Sequence, residues 1–93
     1  MARFLIRVEL HSANELNYIQ LHAAMAREGF SRVISSYNGT KYHLPTAEYT
    51  FDGSKILSNI YLSAERAAKS TGCNYWIIAA EYTQCQFLLP AVN

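Results

Sequence analysis

The chain has 93 residues, about half of them hydrophobic and 16% charged, with a formal net charge of +1. This length suits one domain around one core, and this balance excludes a disordered chain. A charge so near zero also excludes attachment to nucleic acid by bulk electrostatics, so any such contact must come from a local patch.

The apolar run at the start is short and interrupted by Arg7 and Glu9, unlike a signal peptide. No stretch approaches the ~20 apolar residues of a membrane span. Cys73 and Cys85 form neither a Cys-x-x-Cys pair nor a disulfide framework. Free thiols in a reducing compartment are the expectation, and with them a soluble, cytoplasmic protein.

Residues 3–11 alternate with period two. Phe4, Ile6, Val8 and Leu10 share one face; Arg3, Leu5, Arg7, Glu9 and His11 share the other. This predicts a strand of an antiparallel sheet with one solvated side. A helix is expected over 13–28, opened by a capping box of Ser12 with Glu15 and closed by Gly29. Its core stripe is read as Leu16, Ile19, Ala23 and Ala26, widened by Leu21 and Met25.

Asn38-Gly39 follows, between alternating runs 30–37 and 40–51. Asn-Gly is the preferred centre of a type I′ turn, because both residues must take positive φ. The hairpin then pairs Tyr37 with Thr40, Ser35 with Tyr42 and Val33 with Leu44 on one face. Ile34 with His43 and Arg32 with Pro45 fall on the other. Pro45 has no amide for a ladder, and unbroken alternation would carry Glu48 into the core. A bulge near Pro45 is therefore predicted, turning Ala47, Tyr49 and Phe51 inward and Glu48 outward beside His43.

Ser54 is the expected N-cap of a second helix carrying Leu57, Ile60, Tyr61, Ala64, Ala67 and Ala68 at helical spacing, ended by Gly72. A last strand spans 74–83, with Trp76, Ile78 and Ala80 on one face and Tyr75, Ile77, Ala79 and Glu81 on the other. The sequence leaves open which face meets the helices. The tail, 84–93, carries Phe87, Leu88 and Leu89 and would add a strand or dock on a partner. Strand, helix, strand, strand, helix, strand is the order of a ferredoxin-like α+β sandwich. Right-handed crossovers put the first and third strands in the middle of a four-stranded antiparallel sheet, with both helices on one face.

The uncovered face is where function can sit. It is expected to gather Arg7, Glu9 and His11 from the first strand, Arg32 from the second, and His43 and Glu48 from the third. Residues two apart on a strand lie ~7 Å apart on one face. In such a set a His or Glu can take the proton of an RNA 2′-hydroxyl while an Arg holds the charge growing on phosphate. Glu9, His11, His43 and Glu48 are the candidate catalytic residues; Arg7, Arg32, Lys41 and Tyr42 the candidate RNA-binding ones. No resident cofactor is expected, although Glu9 with Glu48 can hold a divalent ion. Tyr37, Tyr42 and Tyr75 can stack bases, or serve packing alone. His22 reads as a partly buried helix histidine. No phosphate loop, nucleophile elbow or zinc spacing occurs. The same charges can equally serve solubility or a dimer contact.

Four stretches carry a family resemblance: Arg7-Val8-Glu9-Leu10-His11; Leu21-His22-Ala23-Ala24-Met25; Gly29-Phe30-Ser31-Arg32; and residues 42–49, Tyr-His-Leu-Pro-Thr-Ala-Glu-Tyr. Together they resemble small bacterial proteins grouped with the GhoS antitoxin of type V toxin–antitoxin systems. The resemblance implies a ferredoxin-like fold similar to the small CRISPR-associated nuclease subunit, and endoribonuclease activity on the messenger RNA of a membrane-lytic toxin. Single-stranded RNA is thus the expected partner, with a homodimer as the alternative and neither DNA nor membrane.

Overall fold

A computed structural model describes residues 2–92 as an α+β chain. Its elements are β1 (Ala2–His11), α1 (Glu15–Arg27), β2 (Val33–Ser35), β3 (Lys41–His43), β4 (Glu48–Gly53), α2 (Leu57–Lys69) and β5 (Asn74–Glu81). The strands form two antiparallel sheets, one of three strands in the order β4-β1-β5 and one of two, β2-β3. The expected single four-stranded sheet is therefore not what forms. Ser31 alone pairs with the outer edge of β4, exchanging amide-to-carbonyl bonds with Thr50 at 2.9 and 2.8 Å. Beyond Ser31 the chain peels away into its own hairpin.

The alternation of β1 decides the layers. Phe4, Ile6, Val8 and Leu10 are buried in one cluster with Leu21, Ala24 and Met25 of α1, Ile60, Ala64, Ala67 and Ala68 of α2, and Tyr49 of β4. Both helices thus cover the even-numbered face of β1, and the odd-numbered face is left without a helix. Tyr75, Ile77 and Ala79 of β5 pack against the same core, which settles the facing of that strand.

α1 begins two residues later than expected. Ser12 takes φ +54°, and Asn14 is the N-cap, exchanging side-chain-to-backbone bonds with Asn17 at 3.0 Å. The inward stripe is Leu21, Ala24 and Met25, while Leu16 and Ile19 are 58% and 56% exposed. The helix does end at Gly29: its amide donates to Ala26 O and that of Phe30 to Met25 O, both at 3.0 Å, with Gly29 at φ +95°. These are the two bonds of a Schellman cap, which need a left-handed residue there. α2 has Ile56 as its N-cap, with no side-chain hydrogen bond, so Ser54 does not play that part.

The hairpin register differs from expectation by one residue. Val33, Ile34 and Ser35 face His43, Tyr42 and Lys41. Ser36 N donates to Thr40 O, Gly39 N donates to Ser36 O, and of the turn residues only Gly39 has positive φ. This is a three-residue loop closed by a left-handed glycine, the common alternative to a type I′ turn. Asn38 is spent on its side chain, whose Oδ1 accepts from Thr40 N and Ser36 Oγ.

At Pro45 the strand breaks fully instead of bulging. Glu48 N donates to Pro45 O, Ala47 takes φ +72°, and β4 starts afresh. The predicted change of parity still occurs: Ala47 and Tyr49 are buried, and Phe51 packs against the core. The last strand ends at Glu81, and the tail crosses back to β3, where His43 N donates to Pro90 O and Val92 N to Lys41 O, both at 2.9 Å. Among the described residues no helix is long and apolar enough to cross a membrane.

Candidate functional site

The helix-free face is built from three columns of side chains fixed by register. Across β1 and β4, Arg3 faces Asp52, Leu5 faces Thr50 and Arg7 faces Glu48. Across β1 and β5, Leu5 faces Ala80, Arg7 faces Ile78, Glu9 faces Trp76 and His11 faces Asn74. Opposed residues in a ladder point to the same side. One sheet side therefore collects Arg7, Glu9, His11 and Glu48 from the expected site, together with Trp76 and Ile78.

One ion pair and one close contact organise these groups. Arg7 Nη1 donates to Glu48 Oε2 at 3.2 Å, and His11 Nε2 lies 3.7 Å from Glu9 Oε2. The second lies beyond hydrogen-bond distance, and His11 Nε2 is buried without a hydrogen-bond partner among the described residues. Trp76 does the covering. Its ring meets the His11 imidazole edge to face, centroids 4.3 Å apart and planes at 87°, yet remains 69% exposed. A broad aromatic face open to solvent thus stands directly beside an imidazole and a carboxylate. Ile78, 68% exposed, continues the apolar strip.

The other expected residues lie elsewhere. Arg32 turns to the helix side, because Ser31 shares the helix-free side with Thr50 and the neighbours of Ser31 must point the other way. Phe30 accordingly enters the core, and the Arg32 charge acts on His22 and Tyr49. His43 and Lys41 are exposed in the separate hairpin, and no hydrogen bond or ion pair joins them to Glu9, His11 or Glu48 among the described residues. Tyr42 packs edge to face on Phe87 of the tail, centroids 5.1 Å apart.

That packing helps form a groove of about 1070 Å³ between hairpin and tail, with Arg3, Tyr37, Tyr42, Tyr82 and Phe87 on its walls. Arg3 lies 5.2 Å over the Tyr82 ring and donates to Thr83 O at 2.8 Å. The groove lining has this one cation and no carboxylate.

Under α1, His22 Nδ1 is hydrogen bonded to Tyr49 OH at 2.6 Å. Burial, reinforced by the Arg32 charge, lowers the pKa of His22, and burial pushes the Tyr49 phenol far up. Both are neutral near pH 7. His22 is thus a partly buried helix histidine, as expected.

Trp76 is the residue that sequence reasoning missed. Its strand alternates apolar residues on both faces, so period alone could not assign it; its place opposite Glu9 in the β1 ladder does. Among the described residues no three of His, Cys, Asp and Glu converge as metal ligands, and Glu48 is engaged by Arg7. No protein-family model matches the chain, and no curated protein matches it significantly.

Proposed function

We propose that the chain is a GhoS-like RNA-binding protein with endoribonuclease activity on single-stranded messenger RNA. The observation that carries the reading is the exposed Trp76 ring set against His11 beside Glu9 on a helix-free sheet. Single-stranded RNA is held elsewhere in biology by bases stacked on aromatic residues of open sheets, with nearby donors on phosphate. The four resembling stretches point the same way. So does the element order, if Ser31 on the edge of β4 is taken as the remnant of a ferredoxin-like fourth strand.

In this reading a base stacks on Trp76, and His11 takes the proton from the 2′-hydroxyl of an adjoining ribose. The hydroxyl oxygen then attacks the neighbouring phosphorus as the bond from phosphorus to the 5′ oxygen breaks, and that leaving oxygen takes a proton from solvent water, giving a 2′,3′-cyclic phosphate end and a 5′-hydroxyl end. Glu9 steadies the imidazolium so formed. Arg7, half-exposed, swings from Glu48 toward the phosphate oxygens. No step in this sequence needs a metal. The groove beyond Arg3 offers a second place for a base among Tyr42, Tyr82 and Phe87.

The test incubates purified protein with mixed RNA, with and without chelator. Cleavage that persists in chelator and falls about 100-fold or more in Glu9→Gln and in His11→Asn is the expected outcome. A second reading, a non-catalytic protein-interaction or dimerisation module, is favoured by the way Arg7 and Glu48 neutralise each other beside the apolar Trp76 and Ile78. RNA neither bound nor cut at low salt, where phosphate contacts are strongest, would leave that reading standing.

A further inference from the structure

The two edges of the three-stranded sheet are treated differently by the fold. The β4 edge is closed at Thr50 by Ser31, and Thr50 Oγ1 also donates to Val33 O at 2.6 Å. The β5 edge is bare. Its hydrogen-bonding sense follows from one bond just past the strand, Tyr82 N to Arg3 O at 2.9 Å. In an antiparallel ladder, exchanging and non-exchanging pairs alternate. Asn74, Trp76, Ile78 and Ala80 therefore bond inward to β1, while Tyr75, Ile77, Ala79 and Glu81 turn amide and carbonyl outward. Two independent bonds agree: Val8 N reaches Ala47 O on the β4 side, and Leu10, which faces Tyr75, gives its amide to Tyr18 OH rather than to β5. Among the described residues nothing takes the outward groups of β5.

Edge strands normally carry Lys, Pro or a bulge, which discourage pairing with another chain. Asn74–Glu81, NYWIIAAE, has no Lys, no Pro and an unbroken register with β1, and its single charge is Glu81 at the end. On the helix-free side the strand shows Trp76 and Ile78. On the helix side, Tyr75 and Tyr61 both donate to Glu65 Oε2, at 3.2 and 3.4 Å.

We propose that β5 is a homodimerisation edge, pairing antiparallel with β5 of a second copy across a two-fold axis so that the two sheets become one. A two-fold operator makes the pairing antiparallel and self-complementary. Opposed residues must share a sheet face, and the register that centres the strand on itself places Ile77 against its own copy. Ile77 then exchanges both backbone bonds with its copy, and Tyr75 does the same with Ala79. Trp76 falls beside Ile78 of the copy on the helix-free side, so the exposed apolar strip continues across the seam with its outer face still open. Glu81 lies beyond the last of these pairs and meets no other carboxylate. This fit to itself commits the edge to a second copy rather than an unrelated strand. The proposal does not depend on what the helix-free face binds.

The experiment follows amide hydrogen exchange by NMR across a wide range of protein concentration, with mass from sedimentation. The expected result is a mass that doubles with concentration while the amides of Tyr75, Ile77, Ala79 and Glu81 gain protection. Those of Trp76, Ile78 and Ala80 stay protected throughout. Ile78→Lys, on an exposed position, should return the mass to monomer without loss of the inner protection. A monomer at every concentration, or a dimer whose outward β5 amides still exchange freely, overturns the proposal.

Discussion

His22 and Tyr49 meet at 2.6 Å and tie α1 to β4 at the border of the core. Tyr49→Phe leaves the His22 nitrogen without its partner, and a loss of about 1 kcal/mol in urea unfolding is expected. The same histidine makes stability depend on pH. Burial and Arg32 lower its pKa below the ordinary 6.5, so below that pH the unfolded chain takes a proton that the folded one resists. Stability is then complete above about pH 6.5 and falls as pH drops toward the folded-state pKa. His22→Gln should flatten this part of the Tm profile. Trp76 behaves in the opposite way: at 69% exposure, Trp76→Ala should change stability by less than about 0.5 kcal/mol while removing the ring proposed as the stacking face.

α1 carries apolar residues around much of its circumference, and only part of them is buried. Leu21→Ala should cost roughly 2–5 kcal/mol, and Ile19→Ala no more than about 0.5 kcal/mol, in paired chemical melts. Asn14→Ala should cost about 1 kcal/mol through the lost cap. These elements also show what the sequence can convey. β1 was legible because its alternation admits one facing, and the end of α1 because Gly29 has one use there. The rotation of α1 was not, since Leu16 with Ile19 and Leu21 with Met25 are equally good stripes until the start at Asn14 and the Tyr49 contact decide between them. The hairpin register was missed by one residue because Asn-Gly also serves a three-residue loop, and a single residue exchanges every pairing. At Pro45 the need for a parity change was readable, whereas a full turn through Ala47 is a tertiary outcome.

For the whole molecule, chain order predicted a two-layer arrangement with one free face, and Arg7, Glu9, His11 and Glu48 do share that face. His43 and Arg32 do not, because the peeling of the hairpin from Ser31 onward is set by contacts with Thr50 and the tail rather than by local pattern. In the proposed function that face is a single-stranded RNA site with Trp76 as its platform. Trp76 is the only tryptophan of the chain, so tryptophan fluorescence comes from this face. Titration with short single-stranded RNA at low salt should quench that emission to saturation, with the quench weakening as salt is raised. Emission unchanged at saturating RNA would contradict the account.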